Sequence, residues 1–194
     1  MSHWSRTKRL LLLMLLLFLP SVTSRTQDSG HAKKEEQSSF GTEDVPGTPR
    51  VVLPLPVPDS VVQSLETDEN VRSCLQENPL DPGQSLGSWF IASEIHLAGP
   101  AEDDLVVVPS FKSSESMCFQ SVAGIGWFWV FRRVDTRYQL ALKAAGNGLE
   151  VLGTRSSGYR DIQTSTLGQA GRHLTTMIFR FDGTRYQKYR ETTH

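Results

Sequence analysis

Cysteine is scarce in this 194-residue sequence, which holds only Cys74 and Cys118. That count closes off a four-thiolate zinc site and any multi-bridge disulfide scaffold. Basic excess is also lacking, since 20 Lys and Arg face 21 Asp and Glu; a nucleic-acid binder would show a basic stripe. No apolar run reaches the roughly 18 residues that a membrane-spanning helix requires. The histidines after residue 24, His31, His96, His173 and His194, pair with neither one another nor a cysteine at metal-ligand spacing. The sequence therefore predicts no metal ion and no cofactor.

The longest apolar run present is Leu10–Leu19, preceded by Arg6, Lys8 and Arg9. As a helix it spans about 15 Å, half a bilayer core, and no polar residue interrupts it to give a buried helix its solvent face. Pro20 ends the run, and Val22 and Ser24 stand at the two positions a signal peptidase reads. The expectation is a cleavable signal peptide over residues 1–24, cut after Ser24, and a mature chain that is secreted or periplasmic without a membrane span. No cysteine follows the cut, so a lipid anchor there is excluded. Cleavage removes three basic residues and no acid, which takes the formal net charge from −1 to −4. In an oxidising compartment the two cysteines read as one disulfide, Cys74–Cys118, with two separately buried thiols as the alternative.

Residues 25–46 hold one aromatic, Phe40, and no apolar period, and are expected to form a disordered leader. Residues 47–58 alternate Pro with Val and Leu, which gives an extended strap across the domain or a linker. A single β-rich domain is expected over 59–190. It opens with a helical segment in which Val62, Leu65, Val71, Cys74 and Leu75 fall near one face; Asp59 or Ser60 caps its start and Thr67 or Asp68 a second turn. Asn78-Pro79 ends it. From Trp89 the period changes to two, and Gly126–Phe131 is apolar on both faces, as suits a central strand covered on both sides or one that shows aromatics to a partner.

Residues 130–139 align without gaps on 178–187, with six identities. Each copy reads as strand, tight turn, strand, and Asp182-Gly183 is a favoured hairpin turn. Glu94-Ile95 and Asp104-Leu105 have looser counterparts in Glu150-Val151 and Asp161-Ile162. Two units of about four strands result, 88–143 and 147–190; they are either duplicates or hairpins that converged on one solution. The fold class is mainly β, an antiparallel meander of about eight strands, as a sandwich, an up-and-down barrel or two packed meanders, with a short N-terminal helical segment.

The succession Trp89-Phe90, Ser93-Glu94-Ile95, Asp104-Leu105-Val106-Val107, Phe128-Trp129-Val130-Phe131-Arg132, Gly158-Tyr159-Arg160-Asp161-Ile162 and Phe181-Asp182-Gly183-Thr184-Arg185-Tyr186 resembles a group of uncharacterised exported bacterial proteins, over nearly all of residues 59–190. The resemblance implies a bacterial envelope or its exterior and carries no activity. Asp-Leu-Val-Val and Phe-Asp-Gly also resemble blade-forming repeats of secreted propellers, but two units cannot close a ring and the acidic calcium spacing is missing.

Few chemistries fit the remaining residues. Gly83-Gln84-Ser85-Leu86-Gly87 matches a serine-hydrolase elbow, yet loop precedes it and strand follows, so a Gly- and Ser-rich turn is the better reading. Glu102-Asp103-Asp104 offers oxygens without a ligand loop and reads as a charged turn. Gly124-Ile125-Gly126 lacks the third glycine and the helix of a dinucleotide site. Glu94, Asp104, Glu150 and Asp161 could serve glycoside hydrolysis, but Asp104 and Asp161 each begin a strand and suit turn amides. Trp127, Phe128, Trp129, Tyr159 and Arg160 could make a binding surface, against the competing reading that most of the aromatics are core. The sequence favours a non-enzymatic binding module of the bacterial envelope, with a wall polysaccharide or an envelope protein as partner. A small hydrolase using acids and a purely structural domain are the alternatives.

Overall fold

The computed structural model describes residues 36–42, 50–110, 118–121, 124–168 and 172–194. The expected signal peptide lies outside them, as do 25–35 and 43–46 of the expected leader and 47–49 of the expected strap. In chain order come β1 (Ser39–Gly41), α1 (Asp59–Glu66), α2 (Glu69–Glu77), a 3-10 turn (Leu86–Trp89), β2 (Phe90–Ile95), β3 (Asp104–Pro109), β4 (Gly126–Val134), β5 (Arg137–Gly146), β6 (Gly148–Ser156), β7 (Tyr159–Leu167), β8 (Leu174–Phe181) and β9 (Tyr186–Thr193). They build two antiparallel sheets, β2-β3-β4-β5 and β1-β6-β7-β8-β9. Neither closes on itself, so of the expected architectures the barrel is not the one adopted.

The doubly apolar β4 explains the layering. Its Phe128 and Val130 turn inward with Val106 and Val108 of β3 and meet Leu149, Val151, Ile162 and Phe181 of the five-stranded sheet. Its Trp129 and Phe131 point the other way, into Val61, Leu65, Val71 and Cys74 of the two helices. The four-stranded sheet is thus a middle layer, and β4 lies between β3 and β5 within it.

The helical cover forms as two pieces because Asp68 caps the second. Its Oδ1 accepts the N–H groups of Asn70 (2.9 Å) and Val71 (3.2 Å), satisfying donors that the first turn leaves free. Val71 and Cys74, three apart, are the residues of α2 that face the core. Cys74 and Cys118 are joined as a cystine with a Cα–Cα distance of 5.8 Å, and this ties α2 to the chain ahead of β4.

The aligned hairpins, β4–β5 and β8–β9, share their irregularities. Pairing slips between Val130 and Phe131 in the first and between Ile178 and Phe179 in the second, which are aligned positions. Asp135 and Gly183, also aligned, both take positive φ in the turns, 54° and 107°. Each expected four-strand unit lies within one sheet, 88–143 spanning β2 to most of β5 and 147–190 spanning β6 to most of β9.

One expectation is corrected. The leader contributes β1 instead of remaining wholly without order: Phe40 is fully buried, and Ser39, Phe40 and Gly41 pair with Glu150, Leu149 and Gly148. Composition misses this because a three-residue edge strand needs only one buried side chain when its partner supplies the hydrogen bonds. Arg50 fastens the same region, its Nε donating to the Thr42 carbonyl (2.9 Å) and its Nη1 to that of Ser110 (3.1 Å).

Candidate functional site

Polar residues gather at the end of the sandwich where β2 turns into β3. Ile95 pairs with Asp104 there, and the Asp104 side chain is fully buried. Its Oδ2 accepts the N–H of Leu97 (2.9 Å) and its Oδ1 the N–H of Arg133 (2.8 Å), locking the β2–β3 turn to β4. Burial pushes this carboxyl above the ordinary aspartate range, outweighing the two amides that lower it.

Asp104→Ala is expected to cost about 2–3 kcal/mol in urea unfolding, because two backbone amides, one of them buried, lose their acceptor. The sign with pH is fixed by the direction of the shift. A folded pKa above the unfolded one adds stability that is complete below the unfolded value and lost as pH rises through the folded value. The stability of wild type relative to Asp104→Asn is therefore expected to be greatest in acid and to fall toward neutrality. Exposed Asp182 runs the other way: the N–H groups of Arg185 and Thr184, then the Gln187 amide, hold it down to about 2. Its contribution to the turn is present above the ordinary aspartate range and lost as pH falls toward 2.

On the helix-side face of the same hairpin stand Glu94, His96 and Asp103. One ligand atom from each lies within 4.8 Å of the others, the one such grouping of His, Cys, Asp and Glu among the described residues. His96 Nε2 is 3.8 Å from Glu94 Oε1, and Arg133 Nη1 is 3.3 Å from Asp103 Oδ2. The His96 ring places Nδ1 2.8 Å from the Glu102 carbonyl, and its backbone N–H donates to Glu36 Oε1 at 2.8 Å. Linear spacing hides this cluster, since its members meet across an antiparallel ladder. The signal available was Glu-x-His on one strand with an acid opposite on the next.

The residues proposed as an aromatic surface are dispersed. Trp129 is fully buried with Nε1 3.3 Å from Asp68 Oδ2, while Trp127 is half-buried with Lys143 Nζ 4.7 Å from its ring centroid. Lys143 Nζ also reaches the Asp68 carboxylate at 2.9 Å. Phe128 points to the opposite layer, and Tyr159, on the other sheet, packs on Phe181 with 4.2 Å between centroids. Arg160 works within the fold. Its Nη2 and Nε donate to the carbonyls of Val151 (2.8 Å) and Leu152 (2.9 Å), where β6 departs from regular pairing, and its Nη1 meets Glu36 at 3.2 Å. Tyr186 donates its hydroxyl to the Arg160 carbonyl (2.6 Å), and burial raises the pKa of that hydroxyl.

The acids weighed for hydrolysis are spread as well. Glu94 and Asp104 belong to one sheet, Glu150 and Asp161 to the other, and both aspartates are buried. Asp161 Oδ2 accepts from Thr154 Oγ1 (2.8 Å) and lies 3.7 Å from Arg180 Nε. Ser85 caps the 3-10 turn, its Oγ accepting the Gly87 N–H at 3.2 Å. It lines a cavity of about 450 Å³ between the strap, α1 and β2, walled by Leu55, Val57, Val62 and Phe90, with Asp59 and Ser88 at its polar side. The strap is fixed there by reciprocal hydrogen bonds between Leu55 and Ala92.

These features define a mainly β protein of two packed antiparallel sheets with helices on one outer face. No family model, no curated protein and no solved structure matches the chain.

Proposed function

We propose that this chain is an exported, non-enzymatic binding module of the bacterial envelope, whose partner is a wall polysaccharide or an envelope protein. The observation that supports it best is the use to which the reactive-looking groups are put. Asp104 accepts two backbone amides, Asp161 a threonine hydroxyl, Arg160 spans two strand carbonyls and Ser85 caps a turn. The cystine between Cys74 and Cys118 fits an oxidising compartment.

Protein purified from its host is expected to begin at Arg25 and to co-sediment with peptidoglycan sacculi or to capture an envelope protein. It is expected to leave ester and glycoside substrates unchanged. Turnover abolished by Glu94→Gln or Ser85→Ala overturns the non-enzymatic reading, and an intact Met1 on protein recovered from cytosol overturns the export.

A further inference from the structure

We propose that Glu94, His96 and Asp103 form a surface site for one divalent transition-metal ion. Strand alternation puts Glu94 and His96, two apart, on the same face. Because Ile95 pairs with Asp104, the next rung outward sets Asp103 across from His96. The three ligand atoms thus converge from two strands of one hairpin, within 4.8 Å of one another. Tetrahedral zinc with bonds of about 2.0–2.1 Å holds its ligand atoms about 3.4 Å apart. Rotation of the Glu94 and Asp103 carboxylates, whose side chains are 43% and 49% exposed, can supply that contraction.

The imidazole sets this cluster apart from a group of acids. A carbonyl only accepts, so the 2.8 Å contact to Glu102 O assigns the Nδ1 proton of the neutral ring. The backbone N–H of His96 is committed to Glu36. Nε2, 3.8 Å from Glu94 Oε1, is left with a free lone pair on the side of the ring away from that carbonyl, the arrangement that a carbonyl behind the ring gives to metal-ligating histidines. Three electron-pair donors that face one another are satisfied by a cation. Arg133 already supplies part of that charge, but through Asp103 Oδ2, so Oδ1 is the oxygen assigned to the ion. One nitrogen and two carboxylates suit zinc or a neighbouring ion better than calcium or magnesium, which prefer oxygen alone. Three protein ligands leave a fourth position for water or a donor from a partner.

Zinc titrated calorimetrically into the full chain, with the cystine intact, is expected to bind one ion per chain with micromolar affinity. His96→Ala, Glu94→Gln and Asp103→Asn are each expected to weaken it at least tenfold, whereas Arg133→Ala, which releases Asp103, is expected to bind zinc at least as well as wild type. Cobalt(II) in place of zinc is expected to give visible d–d absorption that His96→Ala loses. Unfolding of the metal-free variants, followed by circular dichroism, separates lost ligation from lost structure; should His96→Ala fail to fold, the exposed Asp103→Asn decides alone. Absence of one-to-one zinc binding overturns the site, as does zinc bound equally by His96→Ala and Asp103→Asn, or calcium bound more tightly than zinc.

Discussion

Reduction of the Cys74–Cys118 cystine is expected to lower the unfolding free energy by about 4 kcal/mol, the chain-entropy value for closing a loop of 44 residues. The native side of the balance points the same way, because the bridge joins α2, which supplies Val71 and Cys74 to the outer core, to Cys118 beside fully buried Phe119. Phe119 in turn packs edge-on against Trp89 and Trp129, with centroids 6.2 and 5.9 Å away. Loss of the link frees both sides of that cluster together. Urea unfolding with and without reductant measures the effect, and a Cys74→Ser, Cys118→Ser protein is expected to show the lower midpoint in both conditions.

Trp129→Ala is expected to cost about 3–5 kcal/mol, whereas Trp127→Ala costs roughly 1–2. The two residues sit on one face of one strand, yet Trp129 is completely enclosed and touches Phe90 and Phe119, while Trp127 is half-covered beneath Lys143. Trp129 also donates to Asp68, so its removal takes one bond from the carboxylate that caps α2 and holds Lys143. Midpoints of the two variants under identical denaturation compare them directly. Equal losses would mean that the helical layer does not cover Trp129 in solution.

Much of the architecture was legible in local chemistry. Apolar residues on both faces of 126–131 require cover on both sides, and β4 has it; Asp68 has the side chain an N-cap needs, and the helices part there. The matching stretches 130–139 and 178–187 did become the last hairpin of each sheet. What escaped reading depends on residues meeting across long sequence distances. Phe40 finds Leu149, Arg50 finds Ser110 and Arg160 finds Glu36, and nothing in their neighbours along the chain signals those partners. His96 escaped for a related reason: side chains that meet across a β-ladder leave no mark at the spacing of three or four residues. Aromatic residues were the other source of ambiguity, since Trp and Phe suit a binding surface and a core equally until the layers are placed.

The matched slips in the two hairpins set a tolerance on the chain. On the strands opposite them, Ala141 and Tyr189 have no rung of their own, each a single residue out of count. Substituting either changes one side chain. Deleting either, or inserting a neighbour, shifts the parity of every residue beyond it and exchanges the two faces of that ribbon. Length, more than identity, is what these two places hold fixed.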